Sequence, residues 1–394
     1  MQTYAIETSD NGLVTYQDKK RWFWLLSLVN PLIPFVGIAG QWTTGSELWL
    51  LVPLGLMFAL GPLFDWVFGE DENNPPEVLV PQLEKDTYYR VLTYLTVPLH
   101  FIVFFGCAIW VGTQNLHWWS FLALTIAVGF ADGFAINTGH ELGHKRTRLE
   151  TTLAKIVLAV PAYGHFWIEH NRGHHRDVAT PEDPASARMG ESIYKFARRE
   201  IPGAFHRAWI IEKNRLGRKV VSIWGIHNEI LQSYVLTFVM QIGLIAIFGW
   251  IMLPFLIIHN FFSWWVLTSA NYIEHYGLLR LKQADGKYER CQPHHSWNAN
   301  HKYSNLLLFH LQRHSDHHAN PTRRYQSLRH FDDLPNLPSG YYGMYIIAYI
   351  PWLWYKILDA RLLRLPHIAG NLDRINIDPD ARVRLYAKYG QTNG

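Results

Sequence analysis

The chain has 394 residues and a formal net charge of +4, with 36 Lys and Arg against 32 Asp and Glu. Its two cysteines exclude a disulfide framework and a Cys-x-x-Cys metal site, and the small net charge gives no support for nucleic-acid binding. Hydrophobic residues make up 49% of the sequence, yet the mean hydropathy is −0.06, because an apolar half and a polar half offset each other.

Six apolar runs are each long enough to cross about 30 Å of hydrocarbon as a helix. Several of the 17 Trp residues lie at the ends of these runs, as in the aromatic belt of a membrane protein. In chain order the predicted membrane helices span approximately residues 21–41, 46–68, 92–112, 117–139, 231–250 and 252–272.

Lysine and arginine predict the orientation, because they concentrate in cytoplasmic loops. The loops near 42–46, 113–116 and 250–251 contain neither residue. Lys and Arg lie instead before the first helix, between the second and third, and after the fourth and sixth. Both termini and the polar half are therefore predicted to face the cytoplasm.

The predicted class is an all-α membrane protein, with six transmembrane helices and a cytoplasmic helical domain, because no convincing alternating strand pattern is present. The apolar stretches 152–168 and 341–358 are interpreted as interfacial or half-inserted helices, since a full crossing would separate segments that must share one side. The predicted parts are a cytoplasmic N-terminal segment (1–20), helices one to four (21–139), a cytoplasmic catalytic region (140–230), helices five and six (231–272) and a second cytoplasmic region with the C-terminal tail (273–394).

Nine histidines carry the main chemical signal. They are His140 and His144 in a first box, His170, His174 and His175 in a second, His314, His317 and His318 in a third, and the separate His275. Residues four apart lie on one face of a helix, so the pair His140 and His144 can share a metal. The pair His170 and His174 can do the same, while His175 is turned about 100° further round and can reach a second metal.

The number of imidazoles favours two metal ions. The first box alone matches a zinc metallopeptidase motif with Glu141 as base, so a membrane zinc protease is one alternative, but it leaves six histidines unused. Nitrogen-rich sites suit iron, copper or zinc, and two ions with four or five imidazoles each use the whole set. Because few carboxylates are available as ligands, we expect a redox centre that binds dioxygen, a non-heme diiron site.

Polar residues near the boxes are predicted to orient the ligating rings by accepting their second N–H. This supporting set consists of Glu141, Glu169, Glu274, Asp316, Asp183, Asn137 and Asp132. Asp132 lies inside the fourth predicted helix and should face the bundle interior, because a carboxyl is costly in lipid. No catalytic residue is predicted beyond the metal centre itself.

The three boxes resemble those of the integral-membrane desaturase and hydroxylase superfamily. Within it, the boxes and the segment from Asn271 to Gly277, which reads Asn-Tyr-Ile-Glu-His-Tyr-Gly, are similar to the bacterial alkane 1-monooxygenases. This segment is the most specific part, because it separates alkane hydroxylases from fatty-acyl desaturases. The resemblance runs from about residue 20 to 390.

The resemblance implies hydroxylation of the terminal methyl of medium- or long-chain n-alkanes to primary alcohols, with O₂ as oxidant, in the bacterial inner membrane. It also implies that the nine histidines ligate two irons and that rubredoxin, reduced by a rubredoxin reductase, donates the electrons. Rubredoxin would be another polypeptide or a portion absent from this sequence, because no rubredoxin cysteine pairs occur here. A fatty-acyl desaturase or hydroxylase, or a xylene-type methyl hydroxylase, is the alternative.

Terminal selectivity requires shape, because internal methylene C–H bonds are weaker than those of the methyl group. We therefore expect a narrow apolar channel between the membrane helices, lined by Phe58, Phe130, Phe134, Trp264 and Trp265. Basic residues on the cytoplasmic face are predicted to attract an acidic rubredoxin. They are Arg146, Arg148, Arg198, Arg199, Arg215, Arg218 and Lys219.

Overall fold

A computed structural model describes residues 2–8 and 12–390. The described part consists mainly of helices of very different lengths. In chain order they are Arg21–Thr44 (α1), Glu47–Phe68 (α2), Val80–Lys85 (α3), Thr87–Thr113 (α4), Trp118–Gly143 (α5), Arg148–Val157 (α6), Ile193–Arg218 (α7), Glu229–Phe248 (α8), Met252–His275 (α9), Lys302–Leu307 (α10), His314–Ala319 (α11), Tyr341–Ala348 (α12), Pro351–Leu363 (α13) and Arg382–Tyr389 (α14).

A short antiparallel hairpin precedes α1, and it corrects the expectation that the chain has no strand. Its strands are Thr3–Thr8 (β1) and Gly12–Gln17 (β2), and the register pairs Tyr4 with Tyr16. The sequence signal was Asn11 before Gly12 between two alternating runs, a common pattern for a hairpin connection. The hairpin is held to the helices by Tyr4, whose hydroxyl donates to Asp86 at 2.6 Å.

Five helical segments are long and apolar enough to cross a membrane, namely α1, α2, α4, α5 and the 47-residue segment Glu229–His275. The last segment bends at Gly249, whose φ of 77° ends α8 before α9 begins. Gln241 Nε2 donates to Asn260 Oδ1 at 3.2 Å, so a residue before the bend contacts one that follows it by a similar distance along the chain. The helices α8 and α9 are therefore antiparallel, and all six predicted apolar helices are present.

Helices α5 and α9 pack unusually closely, and this packing brings two histidine segments to one level. A Cβ on Gly129 would lie 2.8 Å from the Phe262 Cβ, and a Cβ on Gly133 would lie 2.6 Å from the Val266 Cβ. Small residues four apart permit such close approach between membrane helices. Because the offset between contacting residues is constant, the two helices run in the same direction. Their ends therefore place the first box beside His275.

The polar half packs beneath these helix ends. Side chains cap several of its helices, including Thr147 before α6 and Ser192 before α7. The stretch 341–358 was expected to form one interfacial or half-inserted helix. In the structure it is divided into two helices, α12 and α13, and the second begins at Pro351. Most of α12 is buried in the protein core through Tyr341, Met344 and neighbouring residues. The packing of α12 against α9 contributes to the wall of the site.

Candidate metal centre

The structure brings all nine predicted histidines together in two adjacent groups. The larger group, called the five-histidine group, consists of His140, His144, His170, His175 and His317. The second, called the four-histidine group, consists of His174, His275, His314 and His318. Within each group the ligand atoms all lie within 4.8 Å of one another.

The second box divides between the groups in a way that spacing did not predict. The expectation that His170 and His174 share one metal is wrong, because His170 lies with His175 and their Nε2 atoms are 3.0 Å apart. Residues His170–His174 form a π-helical turn, and the His175 N–H donates to the His170 carbonyl. A π turn bonds residues five apart, so it places the first and last histidines of this box side by side.

The third box divides as well. His317 joins the five-histidine group, with its Nε2 2.9 Å from that of His140. His314 and His318 join the four-histidine group, with their Nε2 atoms 2.9 Å apart. Residues adjacent in sequence, such as His317 and His318, therefore serve different groups.

The distances between ring nitrogens fit shared metal ions. Five Nε2–Nε2 pairs lie between 2.9 and 3.2 Å apart. Two imidazole nitrogens bound at right angles to one first-row metal ion, at about 2.1 Å each, would be about 3.0 Å apart. Two neutral rings otherwise have little reason to face each other in a buried space, so the donor set fits one ion in each group.

Burial keeps most of these rings in the neutral form that binds metal. Desolvation, and then the neighbouring histidines, lower the pKa well below its usual range for members of both groups outside the long apolar helices. These residues are His144, His170, His175, His314, His317 and His318. A neutral imidazole is the form that ligates a metal ion.

His174 is the exception, and its partner explains why. Burial alone would lower its pKa, but the Asp183 carboxylate raises it and accepts the Nδ1 hydrogen at 2.9 Å. Arg207 Nη2 donates to the other Asp183 oxygen at 2.7 Å and also to Glu169. Asp183 thus orients the His174 ring with Nε2 directed to its group, as outer carboxylates commonly do.

Arg207 reaches this position because the second box contains a glycine. A Cβ on Gly173 would lie only 2.7 Å from the Arg207 Nε, so any larger residue would displace the guanidinium. Arg207 is an ionic partner that sequence reasoning missed. Its charge resembled the many surface arginines of α7, and only the tertiary structure places it against the second box.

The rest of the four-histidine group has a different support. His275 Nδ1 donates to the backbone carbonyl of His295 at 3.1 Å. Glu274 Oε2 lies 3.4 Å from the His314 Nε2. The Tyr341 hydroxyl donates to Glu274 Oε1 at 2.8 Å. Glu274 is therefore directed at the ligand side of a ring and not at its far nitrogen.

The other predicted supporting residues have partners outside the two groups. Glu141 pairs with Lys145 at 3.0 Å, Asp316 pairs with Arg323 at 3.1 Å, and Asn137 donates to the Leu308 carbonyl. They hold the segments that carry the boxes and form no hydrogen bond to a ring of either group.

Asp132 belongs to a separate polar cluster inside the bundle. Its two oxygens lie 3.0 Å from the His100 Nδ1 and 3.0 Å from the His259 Nε2. All three side chains are essentially fully buried. This cluster gives the carboxyl the interior partners that its membrane position requires, and it joins α4, α5 and α9.

A narrow apolar cavity extends between α5, α9 and α12 and reaches both groups through His140, His170 and His314. Its remaining lining is almost wholly apolar or uncharged. These residues are Gly133, Phe134, Ile136, Asn137, Phe166, Val266, Leu267, Ala270, Asn271, Glu274, Leu311 and Tyr345. No Lys or Arg is among the described residues that line it, so the cavity suits an uncharged chain better than an acyl group with an anionic head.

The family is decided by comparison with known proteins. A family model described as fatty acid desaturase matches residues 116–349. The chain is 54% identical to alkane 1-monooxygenase 1 of Alcanivorax borkumensis over 97% of this chain and 94% of that protein. It is also 54% identical to the alkane 1-monooxygenase of Pseudomonas putida, over 96% and 94%. The chain belongs to the alkane 1-monooxygenase family.

A more distant relative bears on one of the alternatives. The hydroxylase component of the xylene/toluene monooxygenase of Pseudomonas putida is 28% identical over 57% of this chain and 59% of that protein. The alkane 1-monooxygenases match at higher identity and over nearly the whole length. This member of their family is therefore a membrane oxidoreductase that hydroxylates alkanes, and its histidine groups mark the place for a metal cofactor.

The predicted channel residues of this alkane monooxygenase are only partly brought together. Phe134 lines the cavity, whereas the other four do not. Phe58 packs edge-on against Phe130 at 4.8 Å, and Trp264 donates to the Pro161 carbonyl. Trp265 stacks on Tyr194. These aromatic residues serve helix packing, which is the ordinary role of such side chains in a bundle.

A simple helical count would have found more of the lining. On α5 the cavity is lined by Ile136 and Asn137, one turn before His140, and by Gly133 and Phe134, two turns before it. On α9 the corresponding positions before Glu274 are Ala270 and Val266. The signal was therefore the spacing from the first box and from Glu274, and aromatic character was misleading.

The predicted basic docking residues differ in their freedom to meet a partner. Arg199 pairs with Glu191 at 2.9 Å and Arg215 pairs with Glu212 at 2.6 Å, so their charges are already engaged. The others have exposed side chains, namely Arg146, Arg148, Arg198, Arg218 and Lys219.

Proposed function

We propose that the two histidine groups each hold one iron ion and that this diiron centre hydroxylates the terminal methyl of medium- or long-chain n-alkanes. The observation that carries the proposal is the division of nine histidines, eight of them buried, into groups of five and four beside one apolar cavity. Neither group contains a carboxylate, and imidazole-rich sites with open positions suit a redox metal. When bound, iron would supply the oxidising power to break a methyl C–H bond, using O₂ and two electrons.

The residues of the chain contribute position and exclusion of water. An alkane has no polar handle, so only the shape of the cavity can select its end. Phe134, Leu311 and Tyr345 are among the side chains that line the space beside the histidines. We propose that they admit a straight chain that presents its methyl group and exclude a folded one. The gain from transfer out of lipid is small, because the bilayer is itself apolar. Geometry, through the held approach of one carbon, therefore provides the selectivity.

The electrons have to come from outside this chain, and we propose an acidic rubredoxin as donor. Eight of the nine histidines are buried and His175 is half-buried, so the five-histidine group is the closer of the two to solvent. Exposed basic side chains such as Arg146 and Arg148 lie shortly after the first box and would attract an acidic protein. Reversal of these two charges should lower the turnover with rubredoxin and weaken its salt dependence, while chemically supplied electrons should still support hydroxylation.

The proposed location is the bacterial inner membrane, with six crossings and the histidine groups on the cytoplasmic side. The support is the fold-back of α8 and α9 and the concentration of Lys and Arg on one side. Cysteines introduced one at a time at Gln114 and Lys219, in a Cys291→Ser background that retains the fully buried Cys107, test it with a membrane-impermeant maleimide. In intact spheroplasts Gln114→Cys should react and Lys219→Cys should not, and the reverse pattern contradicts the orientation.

The central experiment combines metal analysis with product analysis. The full chain, purified from membranes, should contain about two iron ions per chain with little zinc. With rubredoxin, its reductase and O₂, octane and dodecane should give primary alcohols. One zinc per chain and no oxidised alkane would contradict the diiron proposal. A desaturated fatty-acyl product would instead support the alternative function within the same superfamily.

A further inference from the structure

A second cavity, remote from the histidines, lies where α1 begins and α2 ends. It has a volume of about 580 Å³, within the usual range for a ligand site. It shares no lining residue with the cavity that reaches the histidines. We call it the terminal groove, and Lys19, Phe23, Phe68, Lys302 and Leu306 are the lining residues that matter here.

One wall of the terminal groove is apolar and open. Phe23 is 59% exposed and Phe68 is 54% exposed, although both are large hydrophobic residues. Trp22 and Trp66, which lie close to them in sequence, are even more exposed. Aromatic side chains at helix ends occupy the boundary between hydrocarbon and water. The wall of the groove is therefore apolar enough to contact a hydrocarbon chain.

The rim of the terminal groove carries two unpaired cations. Lys20 also lies here, but Asp71 accepts from its ammonium at 2.5 Å and neutralises it. Lys19 and Lys302 are exposed and have no acidic partner among the described residues. Two free ammonium groups beside an apolar wall are complementary to an anionic head group with a hydrocarbon tail.

We infer that the terminal groove binds one anionic phospholipid of the cytoplasmic leaflet. The phosphate would lie between Lys19 and Lys302, and an acyl chain would lie along Phe23 and Phe68 with Leu306 beneath it. This inference rests on the proposed orientation of the protein, which places the groove at the level of the cytoplasmic head groups. Lysines near an anionic leaflet contribute to such binding individually.

The groove is also connected to the third box. Asp71, which lines it, accepts from Arg313 Nη2 through its backbone carbonyl at 2.7 Å. Arg313 is buried and directly precedes His314. A lipid that orders the Asp71 segment would thereby also stabilise the start of α11.

The test uses the iron-loaded full chain in nanodiscs that contain phosphatidylcholine with a small fraction of a photoreactive phosphatidylglycerol. Peptides that contain Phe23 or Leu306 should be labelled, and excess phosphatidylglycerol should compete while phosphatidylcholine should not. The double variant Lys19→Ala with Lys302→Ala should reduce this labelling. The expected loss is about 5-fold for each lysine, the factor equivalent to about 1 kcal/mol per charge at an anionic surface.

A matched control separates the groove from general surface charge. The double variant Lys213→Ala with Lys219→Ala removes two exposed lysines elsewhere and should leave the labelling unchanged. Equal labelling by a photoreactive phosphatidylcholine, or an unchanged signal in the groove variant, overturns the inference. Competition by millimolar inorganic phosphate alone would show a free-anion site and would overturn it too. Octane hydroxylation is measured on the same samples and on detergent-solubilised protein. Absence of hydroxylation while the lipid labelling is retained would contradict the proposed function and not the lipid site.

Discussion

The two histidine groups have similar ligands but very different surroundings. In the four-histidine group, Asp183 orients His174, a backbone carbonyl orients His275, and Glu274 lies beside His314. The five-histidine group has one more imidazole, and His175 brings it close to the surface. Carboxylate support is therefore concentrated at the group with fewer rings.

If each group holds one ion, as proposed, this difference predicts different roles for the two metal positions. Negative charge near a metal ion stabilises its higher oxidation state, and solvent contact favours exchange of electrons with a partner. The four-histidine group, in which the Asp183 carboxylate accepts from the His174 ring at 2.9 Å, is suited to hold the more oxidised ion. The five-histidine group is suited to receive electrons. The following experiments test whether the groups behave differently.

The largest expected effect comes from removing a ligand of one group only. His275→Ala should release about one of the two proposed irons and lower hydroxylation by more than about 100-fold. This loss exceeds the effect of about 10–100-fold that is usual when a residue hydrogen-bonded to a metal ligand is replaced. Iron per chain and octanol formation are the measurements. His206→Ala, on the exposed side of α7, is the control and should retain both irons. Full iron content in His275→Ala would contradict the assignment.

Asp183→Asn should act on the four-histidine group alone. Loss of the carboxylate frees the His174 ring and should weaken metal affinity by about 10–100-fold. Iron release to a chelator should then show one fast and one unchanged phase, whereas the exposed neighbour Glu182→Gln should show the wild-type course. If both phases accelerate equally, the two groups do not have separate supports.

Gly173→Ala tests the space that the second box leaves for Arg207. The added methyl would lie 2.7 Å from the guanidinium and should destabilise the protein by about 1–3 kcal/mol. Gly217→Ala is a matched control, since nothing lies within 4 Å of the added Cβ and the helix gains from alanine. Thermal inactivation of the two variants should move in opposite directions. A shared direction would mean that Arg207 is not held by this contact.

Phe134→Ala should change which alkanes are accepted without affecting the metals. The substitution enlarges the cavity beside His140, so the preferred chain length should shift upward. Phe58→Ala removes an aromatic ring that does not line the cavity and should leave the profile unchanged. Competition among alkanes of graded length, with alcohols measured by gas chromatography, provides the comparison. Equal shifts in both variants would refute the assigned path.

The smallest expected effect is a change in the pH dependence of stability at Asp359, which lies outside the two histidine groups. Burial raises the pKa of Asp359 to about 6, although Tyr276 donates to it at 2.9 Å. Because the folded protein holds this proton more tightly than the unfolded chain, wild-type stability should fall as pH rises from about 4 through about 6. Asp359→Asn lacks this fall, and its advantage above pH 6 should be on the order of 1–2 kcal/mol. Parallel pH profiles in thermal unfolding would contradict the shifted pKa.

Much of the fold could be predicted because membrane helices are recognisable from the length and apolar composition of their sequences. The six apolar runs all form helices with bounds close to the expected ones. The exception was the N-terminal hairpin, whose strands are too short and polar to stand out against a helical protein. The proximity of the first box to His275 followed from their position at helix ends, where α5 and α9 stop at the same level.

The details of the site depended on backbone geometry that spacing does not contain. The π turn at His170–His174 reassigns the second box, and no residue in it requires such a turn. Arg207 is about thirty residues from the ring network it supports, and its type gave no distinguishing signal. The cavity lining, in contrast, was accessible in principle from helical periodicity. Local pattern predicted the ligands, and tertiary contact determined how they are shared.

The division of neighbouring histidines between the two groups links their assembly. His174 and His175 share a peptide bond, as do His317 and His318, yet each pair serves both groups. An ion that fixes one member of a pair also fixes the backbone of the other. Most of the backbone conformational entropy is therefore lost when the first ion binds. We therefore expect the first ion to speed the binding of the second when an empty chain is loaded, because the segments that carry both pairs are then already ordered.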